Sequence, residues 1–89
     1  MRKATQRERK ETMAQFDTFE GRVMDDASVQ QVPGGIALMR LWCASVRQDI
    51  EDGNLGPCTQ AMVNSIKRFV RDCRDGRISD ARRMVAQQQ

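Results

Sequence analysis

Residues 35–75 read GIALMRLWCASVRQDIEDGNLGPCTQAMVNSIKRFVRDCRD, and their spacing decides the fold. Ile36, Met39, Cys43, Val46 and Ile50 recur at alternating three- and four-residue steps. At about 100° per residue, that rhythm lines one stripe of an α-helix. Met62, Ile66, Phe69 and Cys73 keep the same rhythm, with Val63 and Val70 broadening the stripe. Between the two runs lies Gly53-Asn54-Leu55-Gly56-Pro57. Gly56 suits a helix N-cap, and Pro57 suits the first helical position, where its missing N–H leaves nothing unpaired. Two amphipathic helices joined by so short a loop fold back on each other as an antiparallel hairpin. The spacing predicts helices over 35–52 and 58–75, with Met39, Cys43, Val46 and Ile50 meeting Met62, Ile66, Phe69 and Cys73.

The flanks extend the same pattern. Upstream, Pro33-Gly34-Gly35 marks a turn, and residues 3–29 form a predicted helical segment. In it Met13, Phe16, Glu20, Val23 and Ala27 share a face, with Phe19 beside them; Glu20, among apolar neighbours, is expected to snorkel to solvent or to meet an arginine and not to act as a catalytic acid. Downstream, Gly76 is a natural helix stop and Ser79 a candidate N-cap for a short helix over 79–87, with Asp80 near its positive end. Ile78, Ala81, Met84 and Val85 are its expected inner face. The fold class is all-α: a small helical bundle built on a central antiparallel hairpin, with flanking N- and C-terminal helices. Residues 1–89 make one domain, of which 1–12 form a basic N-terminal arm.

Composition agrees. At 89 residues, 39% hydrophobic and 30% charged, the chain supports one small core and no separate catalytic domain or large buried cavity. Three Phe, one Trp and no Tyr leave little for a β-sheet core. There is no His, the commonest general base and metal ligand. Cys43, Cys58 and Cys73 are odd in number, widely spaced and without a CxxC pair, so they read as buried thiols. No apolar stretch follows Met1-Arg2-Lys3, and no run approaches the roughly 18 apolar residues of a membrane span, which together predict no membrane partner and a cytoplasmic protein.

Catalytic patterns fail in turn. Pro33-Gly34-Gly35 lacks the frame of a phosphate-binding loop. Asp49-Ile50-Glu51-Asp52-Gly53 resembles the start of a calcium loop, but its glycine falls one place early and no closing Glu follows. Ser65 and Lys67 are two apart on a helix and do not face each other. The sequence therefore predicts no enzyme, no cofactor and no metal.

Charge and surface carry the functional expectations. Residues 1–10 hold Arg2, Lys3, Arg7, Arg9 and Lys10 against Glu8, residues 11–30 are acidic, and the chain is basic again from Lys67 onward. Lys67, Arg71 and Arg74 project from one side of the third segment, in part neutralised by Asp72 and Asp75 at four-residue spacing from Arg68 and Arg71. Together with the arm, they form a candidate nucleic-acid surface: Arg2, Lys3, Arg7, Arg9, Lys10, Lys67, Arg71 and Arg74. Thr5-Gln6-Arg7-Glu8-Arg9-Lys10, followed by Ala14-Gln15-Phe16, resembles the arginine-rich RNA-binding peptide of the lambdoid phage N antiterminators. That resemblance implies phosphate contacts from Arg7, Arg9 and Lys10 and base stacking by Phe16; the sequence departs from it in arginine density and in the spacing to the aromatic. The Gly53–Pro57 loop also has a length compatible with a helix-turn-helix, although both flanking helices are amphipathic throughout, which favours a packed hairpin.

Leu38 and Leu41 fall nearly opposite the main stripe of the second segment, and Trp42 lies on its edge. A helix apolar on two sides either packs between two neighbours as a central core helix or presents surface to a partner, and in the second case these three are the candidate partner-binding residues. The leading expectation is a non-catalytic interaction protein, a regulator, inhibitor or adaptor, docking onto a larger protein or nucleoprotein as a homo-oligomer or hetero-complex. The alternative is a nucleic-acid-binding regulator using the basic arm and the third helix. A further reading has the acidic segment of one copy pairing with the basic ends of another.

Overall fold

The computed structural model describes residues 3–88, which form α1 (Gln6–Met24), α2 (Ala27–Gln30), α3 (Gly35–Glu51), α4 (Pro57–Arg74) and α5 (Ile78–Gln87). No strand occurs among the described residues. Arg2, one of the candidate nucleic-acid contacts, lies outside them.

The hairpin of α3 and α4 is the centre. Met39, Cys43, Val46, Ile50, Ile66, Phe69 and Cys73 are buried in one apolar cluster, with Met62 partly buried against it. The antiparallel sense is fixed at both ends. Near the loop, the single O–H of Thr59 stands within donating distance of two acceptors, Asp49 Oδ2 (2.9 Å) and the Asn54 carbonyl oxygen (2.8 Å). At the far end, the start of α3 lies under the second half of α4. A Cβ added to Gly35 would stand 3.4 Å from the Phe69 ring and 2.8 Å from the Val29 carbonyl oxygen. The Phe69 distance is an ordinary contact, whereas the Val29 distance is a clash, so only a residue without a side chain lets the start of α3 lie this close to the α2 backbone. The end signals match the sequence: Gly56 precedes Pro57 as N-cap, and Gly76, at φ 78°, follows the end of α4.

The first segment departs from the expectation of one helix over 3–29. It starts at a capping box, in which the Glu8 N–H donates to Thr5 Oγ1 (3.1 Å) and the Thr5 N–H to Glu8 Oε1 (3.3 Å). It stops at Asp25 because Asp26 caps a new helix: its carboxylate accepts from the N–H groups of Ser28 (2.9 Å) and Val29 (3.3 Å). Starting a new helix leaves four N–H groups without intrahelical partners, and the Asp26 carboxylate offsets that cost by accepting from two of them. Within α1, Phe16 and Val23 are buried and Glu20 meets Arg47 as expected, but Ala27 is exposed on α2.

Helix α5 also differs at its start. Arg77 is its N-cap, without a side-chain cap bond, and Ser79 lies inside the helix. The Arg77 guanidinium instead turns back to Asp72, donating from Nε (3.0 Å) and Nη2 (2.7 Å), and reaches Asp75 at 3.2 Å. Asp72 and Asp75 thus pair with Arg77, not with Arg68 and Arg71. Ala81 and Val85 are buried and Ile78 and Met84 pack against the core, which is the predicted inner face.

Helix α1 runs antiparallel to α3. The Ala4 N–H donates to Gly53 O (3.0 Å), Arg9 Nη1 to Glu51 O (3.0 Å), and Arg47 pairs with Asp17 (2.7 Å) and Glu20. Both α1 and α4 therefore oppose α3 and run parallel to each other. Helix α1 packs along α3 but barely meets α4. The described residues span 40 × 23 × 19 Å, an elongated shape set by these three long helices.

Candidate functional site

The predicted surface patch on α3 is mostly interior. Leu38 is 4% exposed and Trp42 7%, both part of the core, whereas Leu41 is 55% exposed. Leu38 is covered because α5 folds back beside it, with Val85 close to Gly34 and Leu38. The helix is apolar on two sides because it is packed on two sides. Of the three candidates, only Leu41 offers free surface, beside a shallow cavity of about 170 Å3.

A larger feature lies where α1 stands off from α4. Two adjoining cavities of about 380 and 540 Å3 share Phe19 and Lys67 and form one groove between the helices. One half, towards the α3–α4 loop, is apolar: Phe16 and Ile50 form buried floor, and Phe19, Leu55 and Val63 are half-buried walls. The Phe16 and Phe19 rings stack at a tilt, centroids 5.7 Å apart, which holds Phe19 at the opening. The other half, towards the ends of α1 and α4, has Val23 and Val70 at its base and Arg22, Lys67, Arg71 and Arg74 around it, together with one carboxylate, Asp75, which Arg77 holds at 3.2 Å. No single helix carries this site. Its two walls lie some fifty residues apart in the chain, so a helix-by-helix reading of periodicity passes over it.

The basic rim is partly structural. Arg74 Nε donates to Asp26 at 2.7 Å, tying the end of α4 to the cap of α2. Burial opposes the Asp26 charge, but this guanidinium and the Val29 and Ser28 N–H groups outweigh it and hold the carboxyl below its ordinary value. Lys67, Arg71 and Arg22 are exposed and form no ion pair among the described residues. Of the predicted basic strip, Lys67 and Arg71 are therefore free to meet a ligand, and Arg22 joins them from α1.

Among the described residues of the N-terminal arm, two arginines are engaged. Arg9 caps the C-terminal end of α3 through Glu51 O, and Arg7 pairs with Glu11 at 3.1 Å. Lys3 and Lys10 are exposed. Phe16, the base-stacking residue implied by the antiterminator resemblance, is 6% exposed and part of the core, so it is not available to stack on a base. The acidic segment is likewise engaged: Asp17 and Glu20 hold Arg47, and Asp26 holds Arg74. Part of the segregated charge thus meets inside one chain, as in the Asp26–Arg74 pair, while Asp25, Lys67 and Arg71 form no ion pair among the described residues.

Among the described residues, no group of three or more Cys, Asp and Glu is placed to hold a metal ion, and no helix is long and apolar enough to cross a membrane. Cys43 and Cys73 are buried, as expected of small apolar residues. Burial, reinforced by the Glu20 carboxylate, pushes the Cys43 thiol up to about 12; burial, with Asp26 and Asp72 near, pushes Cys73 to about 11. Cys58 departs from the expectation: it sits in the first turn of α4 and is exposed. No family model, curated protein or solved structure matches the chain.

Proposed function

We propose that the protein acts without chemistry, as a regulator, inhibitor or adaptor that docks stoichiometrically onto a larger protein through the groove between α1 and α4. The observation that supports this most is the standing-off of α1 from α4, which leaves Phe19, Leu55 and Val63 half-buried together along one groove, whereas the other half-buried apolar side chains, such as Met13, Ile36 and Met84, do not line it. An apolar cleft of this size with a few polar groups at its edge is the usual form of a binding site. Covering Phe19, Leu55 and Val63 with a partner would remove their apolar surface from water, which is the main source of affinity at such a site.

A second reading, nucleic-acid binding, draws support from Lys67, Arg71 and Arg22, exposed cations close together at one end of the groove. Each such group would add salt-sensitive affinity for phosphate. The apolar half counts against it, since phosphates gain nothing there.

Photo-crosslinking separates the two. A benzophenone amino acid is placed at Val63 in the groove, or at Ala44 on the exposed face of α3, in cells that make the protein. The docking reading expects a discrete protein adduct from position 63, absent from position 44 and unchanged by nuclease. Equal adducts from both positions, or adducts that vanish with nuclease, would contradict it.

A further inference from the structure

Resting on the docking reading above, we infer that the groove's occupant is one amphipathic helix of a partner protein. It runs antiparallel to α1 and α4 with acidic first turns between Arg22, Lys67 and Arg71, and closes a four-helix bundle around α1, α3 and α4. Geometry comes first. Both α1 and α4 oppose α3 and lie parallel to each other, with a gap between them. In an up-and-down bundle the position facing that gap belongs to a helix antiparallel to both neighbours. The gap runs along α4 from Thr59 to Arg74. At 1.5 Å per residue, that length suits a helix of about 15 residues.

Charge then sets direction. The loop-side half of the groove carries no charged side chain except Lys67 at its border, so the occupant must be apolar there. At the other end Arg22 lies in the last turn of α1 and Arg71 in the last turn of α4. The C-terminal ends of two helices favour the N-terminus of a third, and Asp or Glu in its first turns completes the match with the free cations. A second copy of this chain fits poorly as occupant, because its helices with an acid in the first turn, α1 (Glu8) and α5 (Asp80), already turn their apolar faces, Phe16 and Val23 or Ala81 and Val85, into their own core. Duplex phosphates would engage only the basic end.

The test is a display library of helical peptides about 15 residues long. Their apolar face is fixed and their polar positions are varied among Glu, Gln and Lys; the full chain serves as bait. Enrichment of Glu in the first two turns is the expected result. With the exposed pair changed, Lys67→Glu and Arg71→Glu, that enrichment should give way to Lys, and the selected peptide should lose roughly ten-fold or more in affinity. Peptides enriched without charge preference, yet lost with Val63→Asp, would overturn the acidic-helix assignment and leave groove docking standing. Peptides that bind Val63→Asp undiminished, or no enrichment at all, would overturn both. Tighter binding of a labelled DNA duplex than of any selected peptide at the same salt, abolished by the double substitution, would replace the helix by a phosphate backbone.

Discussion

Helix α1 has one closed side and one open side, and the contrast separates what holds this protein together from what it offers. Against α3 the seam is closed by Phe16 and Val23 in the core and by Arg47, which Asp17 and Glu20 hold in its charged form. Against α4 the same helix stands away, and the side chains between them are half-covered. The closed side follows a simple rule: apolar groups are shared between two helices, and the intruding carboxylates find a cation. The open side breaks that rule at Phe19, Leu55 and Val63. A domain of this size has little core to spare, so unshared apolar surface is a cost with no folding return.

The largest effect belongs to the closed part of the molecule. Phe69 is fully buried between α3 and α4, and Phe69→Ala should lower stability by about 3–5 kcal/mol, read as a lower denaturation midpoint. An unchanged midpoint would break the hairpin pairing on which the contrast rests.

Next is Asp26, which joins the cap of α2 to the end of α4. Asp26→Ala should cost about 1–2 kcal/mol at neutral pH. Its folded pKa lies below the ordinary 3.8, so its contribution is present above that pH and is lost as pH falls through the lowered folded value. The variant should therefore lose less stability than the parent on acidification below about pH 4. Parallel stability curves for the two proteins would show that Asp26 carries no such linkage.

The open side is expected to behave differently. Val63→Asp places a charge on a half-buried wall and should cost only about 1 kcal/mol while abolishing partner binding. A loss approaching that of Phe69→Ala would mean that the groove is closed in solution. Smallest of all, Leu41→Ser on the exposed face of α3 should shift stability by no more than about 0.5 kcal/mol and leave partner binding unchanged, as measured by calorimetry.

The hairpin was legible because its signals are local: the 3-4 rhythm of Met39–Ile50 and Met62–Cys73, the Gly56-Pro57 start and the Gly76 stop lie within single helices. The split of the first segment was less visible, because it turns on whether Asp26 spends its carboxylate on a cap, a competition that periodicity does not register. Leu38 and Trp42 are ambiguous in the sequence for a related reason. An apolar residue off the main stripe marks either free surface or a second packing neighbour, and only the return of α5 over α3 decides between them. The groove itself depends on what two distant helices fail to cover. Lys67 and Arg71 could be picked from the charge pattern, but Arg22, Phe19 and Val63 join them only in the folded chain.

The most direct test of the open side is methyl NMR of the full chain titrated with an amphipathic helical peptide bearing Glu in its first turns. The docking account predicts that the methyl signals of Leu55, Val63 and Val70 shift together and saturate, while those of Leu41 and Val85 stay in place. Shifts centred on Leu41 and Val85, with the signals of Leu55, Val63 and Val70 unmoved, would contradict it.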